Sequence, residues 1–346
     1  MFLMVYLHSI YNYADCSMTG ILIVYPTIRT HSGYGRVNQI TNPSLKVSFD
    51  FTFVTQTSAQ RVVYFPYLLK RWPSMFSVSI YVAQSSYDKL INELMANNYP
   101  ERLQYEIIVG ANYSSYPINM LRNKAIQHCK TSHFWLTDMD MWPSYNLYDS
   151  LNELPFSLLE DKKSAIIVPA FEYPTIKKQC KSFATCAELV DAIVPSTKPD
   201  LLDCMNATEC QIFRPGHRLH NYYFPAWYNM SYTPLVTQVK CFRGERQEPY
   251  VVVRKHKDLP LFDERFVDYG YNKVQWLELL RYSGYNFTVL TKAFAIDVPH
   301  PRTKYQTNYV NTLFANRGHN VTMKDLFESF LADLYTKPDH SVIRKC

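Results

Sequence analysis

Short apolar runs alternate with amphipathic stretches from Val47 onward. Val47, Phe49, Phe51 and Phe53 recur at every second position and lead into Val54-Thr-Gln-Thr57, which reads as a first strand and its terminal loop. Ser58 is placed to cap a helix running to about Lys70, ended ahead of Trp72-Pro73. Residues 76–83 read as a second strand, 87–98 as a second helix and 105–109 as a third strand. That β-α-β-α-β order predicts a parallel sheet with right-handed crossovers, whose ligands bind beyond the carboxyl ends of the strands.

The next helix, Tyr116-Pro-Ile-Asn-Met-Leu-Arg-Asn-Lys-Ala-Ile126, has a proline near its first turn and an apolar side of Ile118, Leu121, Ala125 and Cys129. Asn119, Arg122 and Asn123 fall at i, i+3 and i+4 on another side, which is either solvated or turned toward a nucleotide. An apolar strand from Ser132 follows and ends in Asp138-Met-Asp140. Side chains at i and i+2 of a strand share a face, so these carboxylates can share one cation. A divalent ion held by so few protein oxygens keeps positions open for a substrate diphosphate. Short acidic pairs on loops are common, however, and most are simply solvated.

Beyond this point the pattern predicts a helix over 149–158 and a fully buried strand over 164–171. From Glu172 to about Pro249 the chain is irregular and rich in aromatics, including His217, His220, Tyr222, Tyr223, Phe224 and Trp227, which can stack on sugars or hold the fold together. Asp263-Glu264-Arg265 precedes a Tyr-Gly-Tyr turn and a helix to about Ser283. This group can supply a general base, Asp263 first and Glu264 second; the plain alternative is an acid at a helix start paired with Arg265. A strand over 285–290 leads to Ala293-Phe-Ala-Ile-Asp-Val-Pro-His300, where Asp297 and His300 are further metal-ligand candidates. A surface helix begins at Met323.

The 346 residues, 47% apolar and 15% aromatic, are ample for a packed core and are expected to form one domain over 46–346, in two halves, 46–150 with the acidic pair and 151–346 with the later candidates. Residues 1–45 read as a lead-in, either a signal or a truncated anchor and stem, because neither of its apolar runs is long enough for a spanning helix. The net charge of +6 is scattered among acids, which argues against a nucleic-acid partner. There is no Gly-x-Gly-x-x-Gly, no Walker sequence and no Cys-x-x-Cys, which argues against a dinucleotide, a P-loop and a structural zinc. Cys180/Cys186 and Cys204/Cys210 form disulfides or remain buried thiols. Sequons at Asn112, Asn206, Asn229, Asn286 and Asn320 fit the secretory pathway.

Several motifs then stand in one order: Tyr-Pro-x-Asn-x-Leu-Arg-Asn-x-Ala, Thr-Asp-x-Asp-Met-x-Pro-Ser, Val-Pro-Ala-Phe-Glu, Glu-Pro-Tyr-Val, Phe-Asp-Glu-Arg-Phe-x-x-Tyr-Gly-Tyr-Asn-Lys and Gly-Tyr-Asn-Phe-x-Val-Leu. From Val47 to the end the chain resembles glycosyltransferase family 49. The resemblance implies a GT-A fold, an α/β architecture with a mostly parallel, Rossmann-like sheet, and a type II membrane enzyme of the Golgi lumen. It further implies inverting transfer, dependent on Mn²⁺ or Mg²⁺, from a UDP-sugar to a glycan or glycoprotein acceptor. Glucuronate is the donor sugar implied first; N-acetylglucosamine transfer and a non-catalytic glycan-binding relative are the alternatives. Asp138 and Asp140 match the family's metal motif, and Arg122 and Asn123 match its Leu-Arg-Asn helix. Asp297 stands where the family has a histidine, so Asp297, or else His300, is expected to complete the metal site. Lys273 or Arg265 is the expected partner of a donor carboxylate.

Overall fold

The computed structural model describes residues 21–24, 48–110, 115–174, 180–215, 219–220, 225–229, 233–244, 246–301, 303, 307 and 322–346. Its strands, in chain order, are β1 (Ile21–Val24), β2 (Phe51–Ser58), β3 (Phe76–Ala83), β4 (Leu103–Gly110), β5 (His133–Leu136), β6 (Met141–Pro143), β7 (Ser164–Val168) and β8 (Ala170–Glu172). There follow β9 (Gln211–Ile212), β10 (Val236–Gln238), β11 (Cys241–Phe242), β12 (Tyr250–Arg254), β13 (Asn286–Leu290), β14 (Ala295–Asp297) and β15 (Arg344–Lys345).

The central sheet is nine-stranded, in the order β1-β4-β3-β2-β5-β12-β7-β13-β10. Strands β4, β3, β2, β5, β7 and β13 run one way, while β1, β12 and β10 oppose them. The expected α/β architecture with a mostly parallel sheet is therefore present. All eight residues of β3 are buried, as befits a strand covered on both faces. The start of β2 differs from the alternation seen in the sequence. It begins at Phe51 and continues through Val54–Thr57, because Phe53–Ser58 pair with Phe76–Tyr81 and Phe51–Val54 with His133–Leu136. Ladder hydrogen bonds to β3 hold Thr55, Gln56 and Thr57 in the strand, whose tip runs past the end of β5 to the edge of the sheet where ligands bind.

Prolines explain two further differences. The helix expected over 149–158 is divided by Pro155 into Leu147–Asn152 and Phe156–Glu160. The strand expected over 164–171 is divided by Pro169, which has no N–H to donate to a ladder, into β7 of the central sheet and β8 of a second sheet. The helix expected from Ser58 instead starts as a 3₁₀ segment, Ala59–Tyr64, and becomes an α-helix only over Phe65–Arg71; the Ser58 side chain makes no capping bond. Arg61 sits in that tighter segment.

The second sheet, β6-β14-β8-β9, builds one wall of the site. In it Asp297 lies opposite Met141 on one side and Glu172 on the other, and the Val298 N–H donates to the Asp140 carbonyl at 2.8 Å. This register sets the end of β14 beside the Asp138–Asp140 turn.

Disulfides join Cys180 to Cys186 and Cys204 to Cys210. A third, Cys241–Cys346, ties the last residue to β11, which pairs with β15; Cys129 is a buried free thiol. Asn206 and Asn229 are exposed, whereas the sequons at Asn112 and Asn320 lie outside the described residues, as do Met1–Leu7, His217, Tyr222, Tyr223 and Phe224. Among the described residues no helix is long and apolar enough to cross a membrane.

Candidate functional site

A cavity opens at the carboxyl end of the central sheet. Its walls come from the tip of β2 (Gln56, Ser58), the turn after β5 (Asp138, Asp140), the end of β14 (Asp297, His300), the Tyr250 end of β12 and the segment 268–273. Each part arrives there because a strand or helix ends at that edge.

Asp138 is gripped from three elements. Arg122 on the helix Ile118–His128 donates at 3.1 Å, Lys273 on the helix Asn272–Tyr282 at 2.8 Å, and the Tyr250 hydroxyl at 2.8 Å. Burial alone would push this carboxyl up, but Lys273 and Arg122 hold it far below the usual carboxylate range. Asp140 meets different partners: Arg61 at 2.9 Å and His300 Nε2 at 2.8 Å. Burial again opposes ionisation, and Arg61 with His300 overrides it, bringing the Asp140 carboxyl down to about 2. The His300 Nδ1 lies 2.7 Å from the Pro301 carbonyl. With Nδ1 turned to that carbonyl, Nε2 is the ring nitrogen that faces Asp140, and it is the one that would ligate a bound ion.

The site residues expected from sequence divide into two groups. Arg122, Lys273, Asp138, Asp140, Asp297 and His300 line the cavity together. Asn119, Asn123, Asp263 and Glu264 do not. Asn119 donates to the carbonyls of Asp263 (2.9 Å) and Asn272 (3.2 Å), and its own carbonyl accepts from Arg122 at 3.1 Å. Asn123 donates to the Phe262 carbonyl and to Glu264 Oε1, both at 2.9 Å, while accepting the Phe262 N–H. These two buried amides clamp the helix to the 262–272 segment, satisfying backbone groups that would otherwise be orphaned. The Asp263 carboxylate faces Arg265, with contacts of 3.0 Å to Nε and 2.5 Å to Nη2. Burial pushes Asp263 up, and the hydrogen bonds and charge of Arg265 together pull it below its ordinary value.

Several lining residues were not singled out by sequence. Arg61 comes from the 3₁₀ segment and Tyr250 from the Glu-Pro-Tyr-Val motif. Tyr250 is placed by β12, which pairs directly with β5. Arg214 also lines the cavity, its guanidinium 4.8 Å from the Phe213 ring centroid, and among the described residues it forms no ion pair. Asp268 and Glu248 line it too, and the Asp268 Oδ1 accepts the Tyr116 N–H at 2.7 Å.

No three His, Cys, Asp or Glu side chains among the described residues form a ready-made metal cluster. The donor set nevertheless suits a hard divalent ion. Asp140 and His300 already converge to 2.8 Å, Asp297 lines the same cavity, and substrate oxygens can supply the remaining positions.

The sequence model described as "Glycosyl-transferase for dystroglycan" matches residues 94–335. The chain belongs to glycosyltransferase family 49. The family 49 span includes the Asp-x-Asp turn, Tyr250, Lys273, Asp297 and His300, whereas β2 and Arg61 precede it. Chicken (Gallus gallus) xylosyl- and glucuronyltransferase LARGE1 is 31% identical over 299 residues, covering 82% of this chain and 35% of the relative. Human LARGE1 is 31% identical over 301 residues, covering 83% and 35% respectively. The chain thus spans about a third of the length of these curated relatives. Among solved structures, S. aureus TarS 1-349 in complex with UDP-GlcNAc aligns with TM-score 0.45 at 9% identity, covering 83% of this chain and 66% of that one. GalNAc-T7 with UDP, GalNAc and Mn²⁺ aligns with TM-score 0.43 at 9% identity, covering 87% and 55%.

Proposed function

We propose that this family 49 chain is a GT-A glycosyltransferase that moves glucuronate from UDP-glucuronate to a hydroxyl of a glycan on a glycoprotein, with inversion and with Mn²⁺ or Mg²⁺. The observation that carries this reading is the convergence of Asp140, Asp297 and His300 in a cavity that also presents Arg61, Arg122 and Lys273. Asp140, Asp297 and His300 would hold the ion, which when bound supplies a Lewis acid for the leaving diphosphate. Asp138 is committed to Lys273, Arg122 and Tyr250, and its part is to fix those donors at the cavity floor; it joins the ion only by giving up Lys273.

The cations bind and orient the diphosphate. Arg61 offers forked N–H donors suited to phosphate oxygens, while Arg122, bonded to Asn119, Asn272 and Asp138, adds its charge at the cavity floor. Donor choice is assigned to Arg214. Lys273 is taken up by Asp138 and Arg265 by Asp263, while Arg214 faces the cavity with a guanidinium able to pair with a uronate carboxylate. The relatives' names, which include glucuronyltransferase, point the same way. Disulfides and exposed sequon asparagines fit an oxidising lumen, and we place the protein in the Golgi lumen.

The test is release of UDP from a panel of UDP-sugars mixed with Mn²⁺ and acceptor glycans. Metal-dependent turnover that is fastest with UDP-glucuronate is expected. No turnover with any donor contradicts transferase activity, and preference for UDP-N-acetylglucosamine contradicts the donor assignment.

A further inference from the structure

Inverting transfer requires a carboxylate that is not already neutralised and that faces the acceptor's side of the cavity. We propose that Asp268 is the general base. The inference rests on the transferase reading above. In the step, the acceptor O–H gives its proton to the free Asp268 oxygen while the acceptor oxygen bonds to the anomeric carbon. The bond from that carbon to the diphosphate oxygen breaks, and UDP leaves with the electron pair.

Elimination among the carboxylates lining the cavity leads to this residue. Asp138 and Asp140 are ion-paired with cations on several elements, and Asp297 belongs to the metal donors. Glu248 lies beside Arg214, on the side of the cavity assigned to the donor's carboxylate. Asp263 and Glu264 lie outside the lining, held by Arg265 and Asn123. Asp268 lines the cavity, accepts one N–H, from Tyr116, and has no cation at ion-pair distance among the described residues. A carboxylate with one anchored oxygen and one open oxygen is oriented and still basic.

The backbone supports the same role. Asp268 has φ 53°, a left-handed conformation that non-glycine residues adopt rarely, and it stands just before Gly270 (φ 91°) and Tyr271 (φ 57°). Its N–H donates to the Tyr116 carbonyl at 2.8 Å and its carbonyl accepts from Asn272 at 3.0 Å. The Tyr116 hydroxyl in turn donates to Gln56 at the tip of β2. The strained turn is thus tied to the central sheet, which keeps the carboxylate aimed at the cavity. Burial pushes the Asp268 carboxyl up, more than the Tyr116 N–H pulls it down, the opposite of the net shift at Asp263. A base of higher pKa takes a proton more readily.

The variants to make are Asp268→Asn, which keeps an acceptor for the Tyr116 N–H and tolerates the left-handed backbone, and Asp268→Gly, which relieves the backbone should the first fold poorly. Turnover by UDP release and UDP affinity in the presence of Mn²⁺ are measured on the full chain. The expected result is a kcat reduced by about 10²-fold or more, with UDP affinity within about threefold of wild type. A folded variant with kcat within about threefold of wild type overturns the assignment, as does a kcat loss confined to Asp263→Asn. If wild type itself turns over no donor, the transferase reading fails and Asp268 falls with it. If wild type is active and the Asp268 variants match it, only this inference fails.

Discussion

Two acidic groups in this chain look alike in sequence, Asp138/Asp140 and Asp263/Glu264, and the fold treats them in opposite ways. The first pair sits at the end of β5, where Arg61, Arg122, Lys273, Tyr250 and His300 reach it from five separate stretches of chain. In the second, Asp263 is answered locally by Arg265 two residues on, and Glu264 meets no cation among the described residues, only the amide of Asn123. A carboxylate neutralised by its own neighbours holds its own loop in shape. One whose partners come from distant elements has been placed where those elements meet, and that is where a ligand can bind.

The largest difference should be in activity. Asp140→Ala is expected to reduce transfer by more than about 10³-fold, roughly 4 kcal/mol in transition-state terms, because it removes a carboxylate from the ion and unpairs Arg61. UDP release reads this, and activity within about tenfold of wild type removes Asp140 from the metal site.

Stability should separate the groups next. Asp138→Ala leaves Arg122 and Lys273, both buried, without their shared carboxylate, and breaking a buried pair costs about 3–5 kcal/mol. Asp263→Ala breaks a pair with an exposed Arg265 and should cost less than about 1 kcal/mol. Chemical denaturation of both variants checks the contrast, which fails if the two losses are equal.

A smaller effect is expected from Arg214→Ala. Its preference for UDP-glucuronate over a neutral UDP-sugar should fall by about tenfold or more, a charge-assisted hydrogen bond being worth about 1.5–3 kcal/mol. Unchanged preference in a donor competition would clear Arg214 of that role.

The smallest is a pH effect. An ordinary unfolded Asp titrates near about 3.9, and Asp140 in the fold titrates at about 2, so between these values the unfolded chain binds more protons than the folded one. Stability from this group is present above that window and is lost as pH falls through it. The thermal midpoint of wild type should therefore drop on acidification below about pH 4, and it should drop less in Asp140→Asn.

Much of this was legible in the chain because its causes are local. Strand β3, the helix Tyr87–Asn97 and the Asp-x-Asp turn follow from short-range periodicity and a strand's alternation of faces. The residues that escaped notice depend on distant partners. Nothing in the spacing of Arg61 shows that a 3₁₀ segment will aim it at Asp140, 79 residues on. Asn119 and Asn123 read as a ligand-facing side of a helix, yet the carbonyls of 262–272 needed donors and took them. Pro169 moves the chain from one sheet to another, which sets Glu172 opposite Asp297; an apolar run gives no sign of that change. Cys241 and Cys346 are 105 positions apart, and only the pairing of β11 with β15 brings them together.

The central claim is that Asp140, with His300 and Asp297, holds a divalent ion that receives the diphosphate. It is tested most directly by titrating UDP into the full chain with and without Mn²⁺, in wild type, Asp140→Ala and His300→Ala. The account predicts that Mn²⁺ tightens UDP binding by about tenfold or more in wild type, and that this gain disappears in both variants. UDP binding that is indifferent to Mn²⁺ in wild type, or a gain that survives in Asp140→Ala, would contradict it.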